Sequence, residues 1–413
     1  MSLKITNATL PDRQGYWNIA IADGYIKEVT PAKFASPESG KILNAEGKLL
    51  IPGLVDAHIH LDKALLLERY PAVDGTFNEA LQKTLQAKQE YTVADIRARA
   101  SKIIERAIAF GTTTMRTHVE VDPILQLKSL EALLPLKKEY AWGIDLQLAV
   151  FAQEGITNQS GTASLLRKAM SMGGDAIGSA PYVDPDPEEN IRTVFKIATE
   201  FDRDVDFHLD FLDDDAPLLL PLVIEETLKN GWRDRVCLGH MTKLAGLTPA
   251  ELTAFIPLLR EAGISILALP ATDLYMMSRQ DTHNVRRGVA PIHRLAEAEI
   301  KVGLATNNVQ NLFTPFGDGD VLKICTLLAQ VLQLGTTASH RLCLEMATTR
   351  AARAIGIEDY GIEVGKVADL VLLDANSVSD AVAAAPLNRT TIKGGKIVAR
   401  SHYSINFEQN FCY

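Results

Sequence analysis

The chain has 413 residues, of which 47% are hydrophobic and 23% charged, and its net charge is −9. This composition is typical of a globular protein, and the length accommodates a barrel of about 250 residues or more together with an accessory domain. The negative charge argues against a nucleic-acid partner and against an anionic membrane surface, because both require clusters of basic residues. No apolar run reaches the roughly 18 residues that a membrane span needs.

The cysteines are few and scattered, with no Cys-x-x-Cys pair: Cys237, Cys325, Cys343 and Cys412. Such usage is typical of a reducing compartment, where disulfide frameworks are rare. The opening residues MSLKI lead directly into a strand-like pattern, without a charged and then apolar signal segment. We therefore expect a soluble, cytoplasmic protein.

The two ends of the chain are both rich in strand patterns. Residues 18–22 and 25–27 flank an Asp-Gly pair, which is a strong hairpin signal. An apolar run at 370–373 and a second hairpin pattern at 391–398 lie near the other end. Neither end has enough strands for a core of its own. We therefore predict one small β-sandwich built from residues 1–52 and 361–413.

The middle of the chain, residues 53–360, alternates short β-branched runs with longer helical patterns. Its eight candidate strands are 54–60, 113–119, 145–153, 176–183, 205–210, 235–241, 264–270 and 301–307, with helical patterns such as 93–109 and 191–200 between them. This alternation predicts an α/β fold, a parallel (β/α)8 TIM barrel. A doubly wound open sheet would alternate in the same way, but no glycine-rich phosphate loop follows the first strand.

Five of the nine histidines fall at the ends of predicted strands. They are His58 and His60 after the first strand, His118 after the second, His208 after the fifth and His240 after the sixth. Residues two apart on a strand point the same way, so the first pair can reach one metal ion. A single histidine in an apolar run is more often structural. Five at the face where barrel enzymes keep their active sites indicate a metal centre.

Several longer motifs follow one another in chain order. They are PGLVDAHIHLD at 52–62, RTHV at 116–119, DLQ at 145–147 leading into FAQEG at 151–155, RRG at 286–288 and YGIEVGK at 360–366. Together they resemble the amidohydrolase superfamily, and within it the cytosine deaminase branch that includes N-isopropylammelide amidohydrolase. The resemblance covers nearly the whole chain. It implies a barrel with a β-sandwich made from both termini, in agreement with the strand pattern.

The resemblance also implies a function and a set of site residues. The expected reaction is hydrolysis of a non-peptide C–N bond in a small cyclic amidine or amide, such as a pyrimidine or a triazine. His58, His60 and His208 would hold one divalent metal ion, zinc or iron. His240 would orient the attacking water, and Gln153 would hydrogen-bond the ring. The fourth predicted strand has no lysine that could be carboxylated to bridge a second ion, so we expect a single metal.

Two positions depart from the family pattern. Asn307 stands where the family has an aspartate that ligates the metal and takes the proton from water. Phe211 stands where the family has a glutamate that shuttles a proton to the ring. An amide carries no charge and cannot act as a base at neutral pH. Because loss of a positioned acid or base typically costs ~10²–10⁴-fold in rate, Asn307 and Phe211 join His240 as the catalytic positions to test.

Other residues near the strand ends could compensate. Lys63, just after the first motif, could supply a cation or a proton, and we predict that it contacts the substrate together with Gln153 and His118. Asp210 shares the face of His208 if that strand continues far enough. Acidic candidates in following loops are Glu120, Asp122, Asp213, Asp214 and Asp215, although such a run is usually a solvated loop. Candidates for either pocket wall or core are Phe313, Phe316, Tyr275, Met276 and Met277.

Three interpretations stay open from the sequence. The leading one is a metal-dependent hydrolase of a small cyclic substrate, with a homo-oligomer as a further expectation. The second is a catalytically impaired relative that binds a base-like ligand without efficient turnover, which Asn307 and Phe211 favour. The third is a purely structural barrel. The retained histidines argue against the last two, because polar groups are costly to bury unless they are satisfied.

Overall fold

The computed structural model describes residues 2–34, 40–211 and 213–407. Three of the cysteines, Cys237, Cys325 and Cys343, are buried free thiols, and Cys412 lies outside the described residues. Within the described ranges, no helix combines the length and the apolar character that crossing a bilayer would require.

Strands and helices account for most of the described residues. In chain order the strands are β1 (Ser2–Leu10), β2 (Arg13–Ala22), β3 (Tyr25–Pro31), β4 (Lys41–Asn44), β5 (Leu49–Pro52), β6 (Leu54–Ile59), β7 (Thr112–Glu120), β8 (Asp145–Ala152), β9 (Ala176–Ser179), β10 (Asp204–Leu209), β11 (Val236–His240), β12 (Ser265–Ala268), β13 (Val302–Leu304), β14 (Leu370–Leu373), β15 (Arg389–Lys393) and β16 (Lys396–Ser401). The α-helices are α1 (Phe77–Lys88), α2 (Val93–Ala109), α3 (Lys128–Glu139), α4 (Thr162–Met172), α5 (Pro187–Phe201), α6 (Leu220–Lys229), α7 (Pro249–Ala262), α8 (Pro270–Met276), α9 (Ile292–Glu297), α10 (Val321–Val331), α11 (Thr337–Met346), α12 (Thr349–Ala354) and α13 (Val378–Ala384).

Strands from both chain ends form one sandwich-like sheet. Its order is β16-β15-β14-β5-β1-β2-β3, with β4 paired to β1. The two ends meet where β5 and β14 pair antiparallel. Buried side chains from both ends share a core that includes Ile5, Ile19, Leu50, Leu370 and Ile392. The predicted pairing of the two termini is confirmed, because neither end could bury these residues alone.

The middle of the chain forms a parallel sheet in the order β13-β12-β11-β10-β9-β8-β7-β6. A parallel bridge between Ile59 and Asn307 joins its first and last strands. His60 N donates to Asn307 O at 2.9 Å, and Asn307 N donates to His58 O at 2.8 Å. These bonds close the sheet, and the predicted (β/α)8 barrel is confirmed. The proposed domain boundaries at 52/53 and 360/361 stay a prediction.

Helix α2 shows how the local sequence specifies the outer layer. Its N-cap Thr92 accepts a hydrogen bond from Asp95 N at 3.1 Å, which satisfies one of the free amides of the first turn. Ile96, Ile103 and Ile104 recur at helical spacing and are all fully buried. The predicted helical pattern at 93–109 therefore coincides with the observed helix.

Two barrel strands end at least three residues earlier than the sequence predicted. Strand β9 stops at Ser179 because Pro181 has no backbone N–H, and Pro181–Val183 forms one turn of 3₁₀ helix instead. Strand β13 stops at Leu304, and Asn307 adopts a left-handed backbone with φ of 61°. In both places the chain turns across the carboxyl end of the barrel. The residues that follow these strands are therefore available to a central site.

Candidate active site

The predicted histidines converge at the carboxyl end of the barrel, and all are buried. His58 belongs to β6, His60 follows it directly, His208 lies on β10 and His240 ends β11. The backbone bonds that close the barrel place Asn307 beside the first pair. Parallel strands end at the same edge of a barrel, so residues far apart in sequence share one space.

Three imidazoles meet through their Nε2 atoms. The Nε2 atom of His208 lies 3.1 Å from that of His58 and 3.0 Å from that of His60. Burial, reinforced by neighbouring imidazoles, lowers the pKa of each ring well below its usual value, so all three are neutral at pH 7. Nitrogens bound tetrahedrally to one zinc ion at about 2.1 Å would be about 3.4 Å apart. The observed spacing fits one shared divalent ion.

Two further imidazoles border this group. The ligand atoms of His58, His208 and His240 all lie within 4.8 Å of one another. The same holds for a second set, which consists of His58, His60 and His118. His118 Nε2 contacts Asp206 Oδ1 at 3.1 Å, and its ring centroid lies 3.9 Å from that of His58. Arg116 holds the other oxygen of Asp206 at 2.9 Å. His118 therefore lies beneath the cluster, outside the cavity lining, and its predicted substrate contact stays a prediction.

Asn307 is fully buried, and neither its Oδ1 nor its Nδ2 has a hydrogen-bond partner among the described residues. Unpaired buried amides are rare, because leaving them unpaired costs about 1–3 kcal/mol per group. An amide oxygen can contact a metal ion or a water molecule, but it cannot take a proton. The orphaned amide beside three neutral imidazoles therefore also fits a bound ion or water.

His240 is oriented by a carboxylate that the sequence reasoning missed. Its Nδ1 lies 2.7 Å from Oδ1 of Asp273, which sits on α8 and also accepts a bond from Leu269 N at 3.0 Å. Burial raises the pKa of Asp273, and its bond with His240 acts in the opposite direction. A carboxylate on Nδ1 fixes the proton there and leaves Nε2 free as an acceptor. The available signal was an acidic residue soon after the seventh barrel strand, in LPATDLYMM at 269–277.

Lys63 lies beside the histidines and is only 2% exposed. Its Nζ lies 2.6 Å from Oε1 of Glu120 and donates to Oε1 of Gln153 at 3.1 Å. Burial favours a neutral Glu120, but Lys63 and Lys88 lower the pKa of this carboxyl to about 2. Because the Gln153 oxygen is occupied, its amide nitrogen remains a donor for a ligand. The structure thus brings Lys63 and Gln153 together, as a pair.

Behind this pair lies a buried charge cluster that the sequence did not reveal. Lys88 Nζ is fully buried and contacts Glu120 at 2.7 Å, Asp122 at 3.0 Å and Glu154 at 2.5 Å. Burial lowers the proton affinity of Lys88, but the three carboxylates raise its pKa well above the usual value. These acids hold an ammonium group, so they are not free to act on a substrate.

The remaining acidic candidates, Asp210, Asp213, Asp214 and Asp215, do not line the cavity of the histidines. Asp210 is 2% exposed, and its carboxylate accepts bonds from Leu219 N and Leu220 N at the start of α6. Burial raises its pKa to about 6. Asp213 and Asp214 line a separate surface groove, where Asp214 pairs with Lys243. None of these carboxylates occupies the place of the missing family acids.

Four aromatic side chains wall the central cavity: Phe77, Tyr182, Phe211 and Phe313. The Phe211 ring lies 4.1 Å from the ring of His240, so an apolar group covers the place where the family has an acid. The Phe313 ring lies 4.7 Å from Lys63 Nζ. Phe316, by contrast, is 63% exposed and does not reach the cavity. Of the other predicted wall residues, Met276 and Met277 are buried with Phe211, whereas Tyr275 packs on Phe316.

The free space at the centre is small. The cavity between the histidines and the aromatic wall has a volume of about 10 Å³, which is room for about one water molecule. A ring-shaped ligand can enter only if the aromatic side chains move aside.

The sequence matches known proteins over nearly its full length. A family model described as "Amidohydrolase family" matches residues 41–399. The N-isopropylammelide isopropyl amidohydrolase of Pseudomonas sp. (strain ADP) is 31% identical, over 96% of this chain and 97% of the relative. The pterin deaminase of Rhizobium rhizogenes is 30% identical, over 97% of this chain and 92% of the relative.

The fold matches solved structures to the same extent. The crystal structure of 5-methylcytosine deaminase from Klebsiella pneumoniae liganded with 5-fluorocytosine superposes with a TM-score of 0.91. Its sequence is 30% identical, and the match covers 98% of this chain and 99% of that chain. Together with the converging histidines, these likenesses show that the chain belongs to the amidohydrolase family.

Proposed function

We propose that this amidohydrolase releases ammonia or an amine from a small planar nitrogen heterocycle, such as a pyrimidine or a triazine. The observation that carries the proposal is that the Nε2 atom of His208 lies within 3.1 Å of those of two further neutral imidazoles, His58 and His60, beside the Lys63–Gln153 pair. A metal-binding group next to paired hydrogen-bonding side chains suits attack of water on a polar ring. The relatives support this class, because N-isopropylammelide, pterin and 5-methylcytosine are all nitrogen heterocycles.

We assign His58, His60 and His208 as the residues that hold one divalent ion, zinc or iron. Such an ion, when bound, lowers the pKa of a coordinated water to near 7 and so supplies a nucleophile at neutral pH. Asn307 offers a neutral amide oxygen on the same side of the site. Because Asn307 cannot accept a proton, another group must do so.

His240 is that group in the proposed mechanism. Asp273 fixes a proton on Nδ1, which leaves Nε2 able to accept a proton from water and to return it to the departing amine. The Asp273 carboxylate also stabilises the imidazolium that forms in between. One residue then performs the proton transfers that the family divides between two acids.

Lys63 and Gln153 bind the polar edge of the ring, and the aromatic wall encloses its faces. Lys63 supplies a fixed positive charge, because Glu120 holds its ammonium in place. The wall excludes bulk water and, with so little free space, selects a small flat substrate.

Two measurements test the proposal. Protein purified without chelator should contain about one equivalent of zinc or iron, and His208→Ala should lose it, whereas the exposed His283→Ala should retain it. A release assay for ammonia and amines across pyrimidines, triazines, pterins and creatinine-like rings should then identify a substrate. A metal-free protein that releases nothing from any ring would refute the proposal.

The impaired-relative alternative predicts ligand binding without release, and the same assay separates the two. No observation in the described residues favours that alternative over a hydrolase.

We also propose a cytoplasmic location, supported by the buried free thiols of Cys237, Cys325 and Cys343. The expected homo-oligomer stays a prediction.

A further inference from the structure

Tyr182 is a polar residue of the cavity wall that has no assigned role. It lies in the 3₁₀ turn after β9 and lines the same space as His208, His240 and Gln153. Among the described residues its hydroxyl has no hydrogen-bond partner, although the phenol is half-buried. Lys63 already bonds Glu120 and Gln153, whereas the Asn307 amide in the same lining is also unpaired. The Tyr182 hydroxyl is thus a donor without a protein acceptor in the wall of the proposed site.

The turn that carries Tyr182 is held rigidly. Val183 N donates to Ala180 O at 3.1 Å and Asp184 N to Pro181 O at 3.0 Å. The Asp184 carboxylate then accepts bonds from Ile156 N at 2.6 Å, beyond β8, and from Asn190 Nδ2 at 2.8 Å, on α5. Anchoring on two neighbouring barrel elements fixes the backbone that carries the phenol, and a preorganised backbone favours efficient hydrogen bonding in a site.

The surroundings keep the hydroxyl protonated. Its ring lies 5.8 Å from that of Phe211 and 6.4 Å from that of Phe77, both apolar. Burial raises the pKa of Tyr182, and the negative charge of Asp273 adds to that effect. A phenol that stays neutral can donate a hydrogen bond but does not act as a base.

We propose that Tyr182 donates a hydrogen bond to a ring nitrogen or carbonyl oxygen of the substrate, on the side where Phe211 provides no polar group. As water adds to the ring carbon, negative charge builds on that ring atom, and the donor stabilises it. No proton leaves the tyrosine, so the transfers remain with His240. This inference rests on the proposed function, and it implies a substrate with acceptors on two edges, one facing Gln153 and the other facing Tyr182.

The test compares Tyr182→Phe with Tyr275→Phe. Both substitutions remove one hydroxyl, but Tyr275 packs on Phe316 outside the central cavity. With a substrate found in the release assay, Tyr182→Phe should lower kcat/KM by about 10- to 100-fold, mostly through kcat, and leave the pH profile in place. Tyr275→Phe should stay within about twofold of the unmodified protein, because it removes no group of the site.

A binding measurement separates failure of this inference from failure of the proposed function. Calorimetry with uracil and cyanuric acid, rings that carry carbonyl acceptors, should show weaker binding to Tyr182→Phe than to the unmodified protein or to Tyr275→Phe. If Tyr182→Phe binds these rings more weakly but the unmodified protein turns over no substrate, the hydrogen bond from Tyr182 is supported and the proposed hydrolase function is wrong. If Tyr182→Phe and the unmodified protein bind these rings equally well and turn over substrate equally fast, the hydrogen bond from Tyr182 is rejected and the hydrolase function stands. If neither ring binds the unmodified protein, the hydrogen bond from Tyr182 to such an acceptor is rejected, and the release assay alone decides whether the protein is a hydrolase.

Discussion

The Nδ1 atom of His240 lies 2.7 Å from Oδ1 of Asp273, and neither side chain is more than 3% exposed. The two residues belong to different parts of the barrel: His240 is the last residue of β11, and Asp273 lies on α8, the helix after β12. A second buried imidazole–carboxylate pair, His118–Asp206, borders the same histidines, but only His240 of the two imidazoles lines the cavity. We expect proton transfer by His240 to depend on this hydrogen bond to Asp273.

Replacing the carboxylate should therefore slow catalysis without unfolding the protein. In Asp273→Asn the amide no longer fixes the Nδ1 proton, so we expect kcat to fall by about 10²–10⁴-fold with little change in KM. Asp281→Asn is the matched control, since that aspartate pairs with Arg286 outside the cavity. Kinetics on the substrate found in the release assay measures the effect. Equal kcat values for the two variants would remove Asp273 from the mechanism.

Restoring the family acids should strengthen both the metal site and turnover. Asn307→Asp places a carboxylate where an unpaired amide lies beside three imidazoles, so we expect tighter retention of the ion during competition with a chelator. Asn308→Asp makes the same charge change one residue further on and should not tighten the retention of the ion.

Adding Phe211→Glu to Asn307→Asp should raise ammonia release from cytosine-like rings. If release does not rise, the pocket differs from its relatives in shape as well as in its acids.

The buried Lys88 should contribute strongly to stability. Lys88→Met leaves Glu120, Asp122 and Glu154 without their shared cation, and breaking such a buried network typically costs about 3–5 kcal/mol. Lys83→Met removes a lysine from the same helix whose pair with Glu79 is partly exposed, so its cost should stay below about 1 kcal/mol. Urea unfolding of both variants provides the comparison. Similar unfolding free energies would show that the cluster contributes no more than a surface pair.

Glu154 should make stability depend on pH. Burial raises its pKa from the usual 4.5 to about 7, with Lys88 acting against the shift and Glu120 and Asp122 adding to it. The folded protein then binds this proton more tightly than the unfolded chain, so the free energy of unfolding should fall as pH rises from about 4.5 to about 7. The fall should amount to at most about 3 kcal/mol.

Glu154→Gln isolates that contribution, because the amide does not titrate. Denaturant unfolding at several pH values across the same window should give a shallower decline for Glu154→Gln than for the unmodified protein. The exposed Glu139→Gln should leave the decline unchanged. A decline equally steep in Glu154→Gln would assign the pH dependence to other groups.

Local sequence patterns were sufficient to predict the fold and the histidines that we propose as the metal-binding group. Strand alternation is a short-range property, so the eight barrel strands and helix α2 could be predicted from windows of a few residues. His58 and His60 face the same way because side chains on a strand repeat every two residues. The ends of the predicted strands also indicated His208 and His240, and the motif resemblance added Gln153; the structure places these three residues around one small cavity.

The sequence by itself determined the barrel, the pairing of its two β-rich ends, the histidine set, and the absence of acids at positions 211 and 307. Only the tertiary structure decided which other groups complete the site. Asp273 orients His240, Lys88 pairs with three acids, Asp210 caps α6 and Tyr182 lines the cavity. Each of these facts depends on contacts between segments brought together by closure of the barrel. The residues next to a side chain in sequence do not specify which distant residues it contacts once the barrel closes. No local motif therefore revealed these contacts.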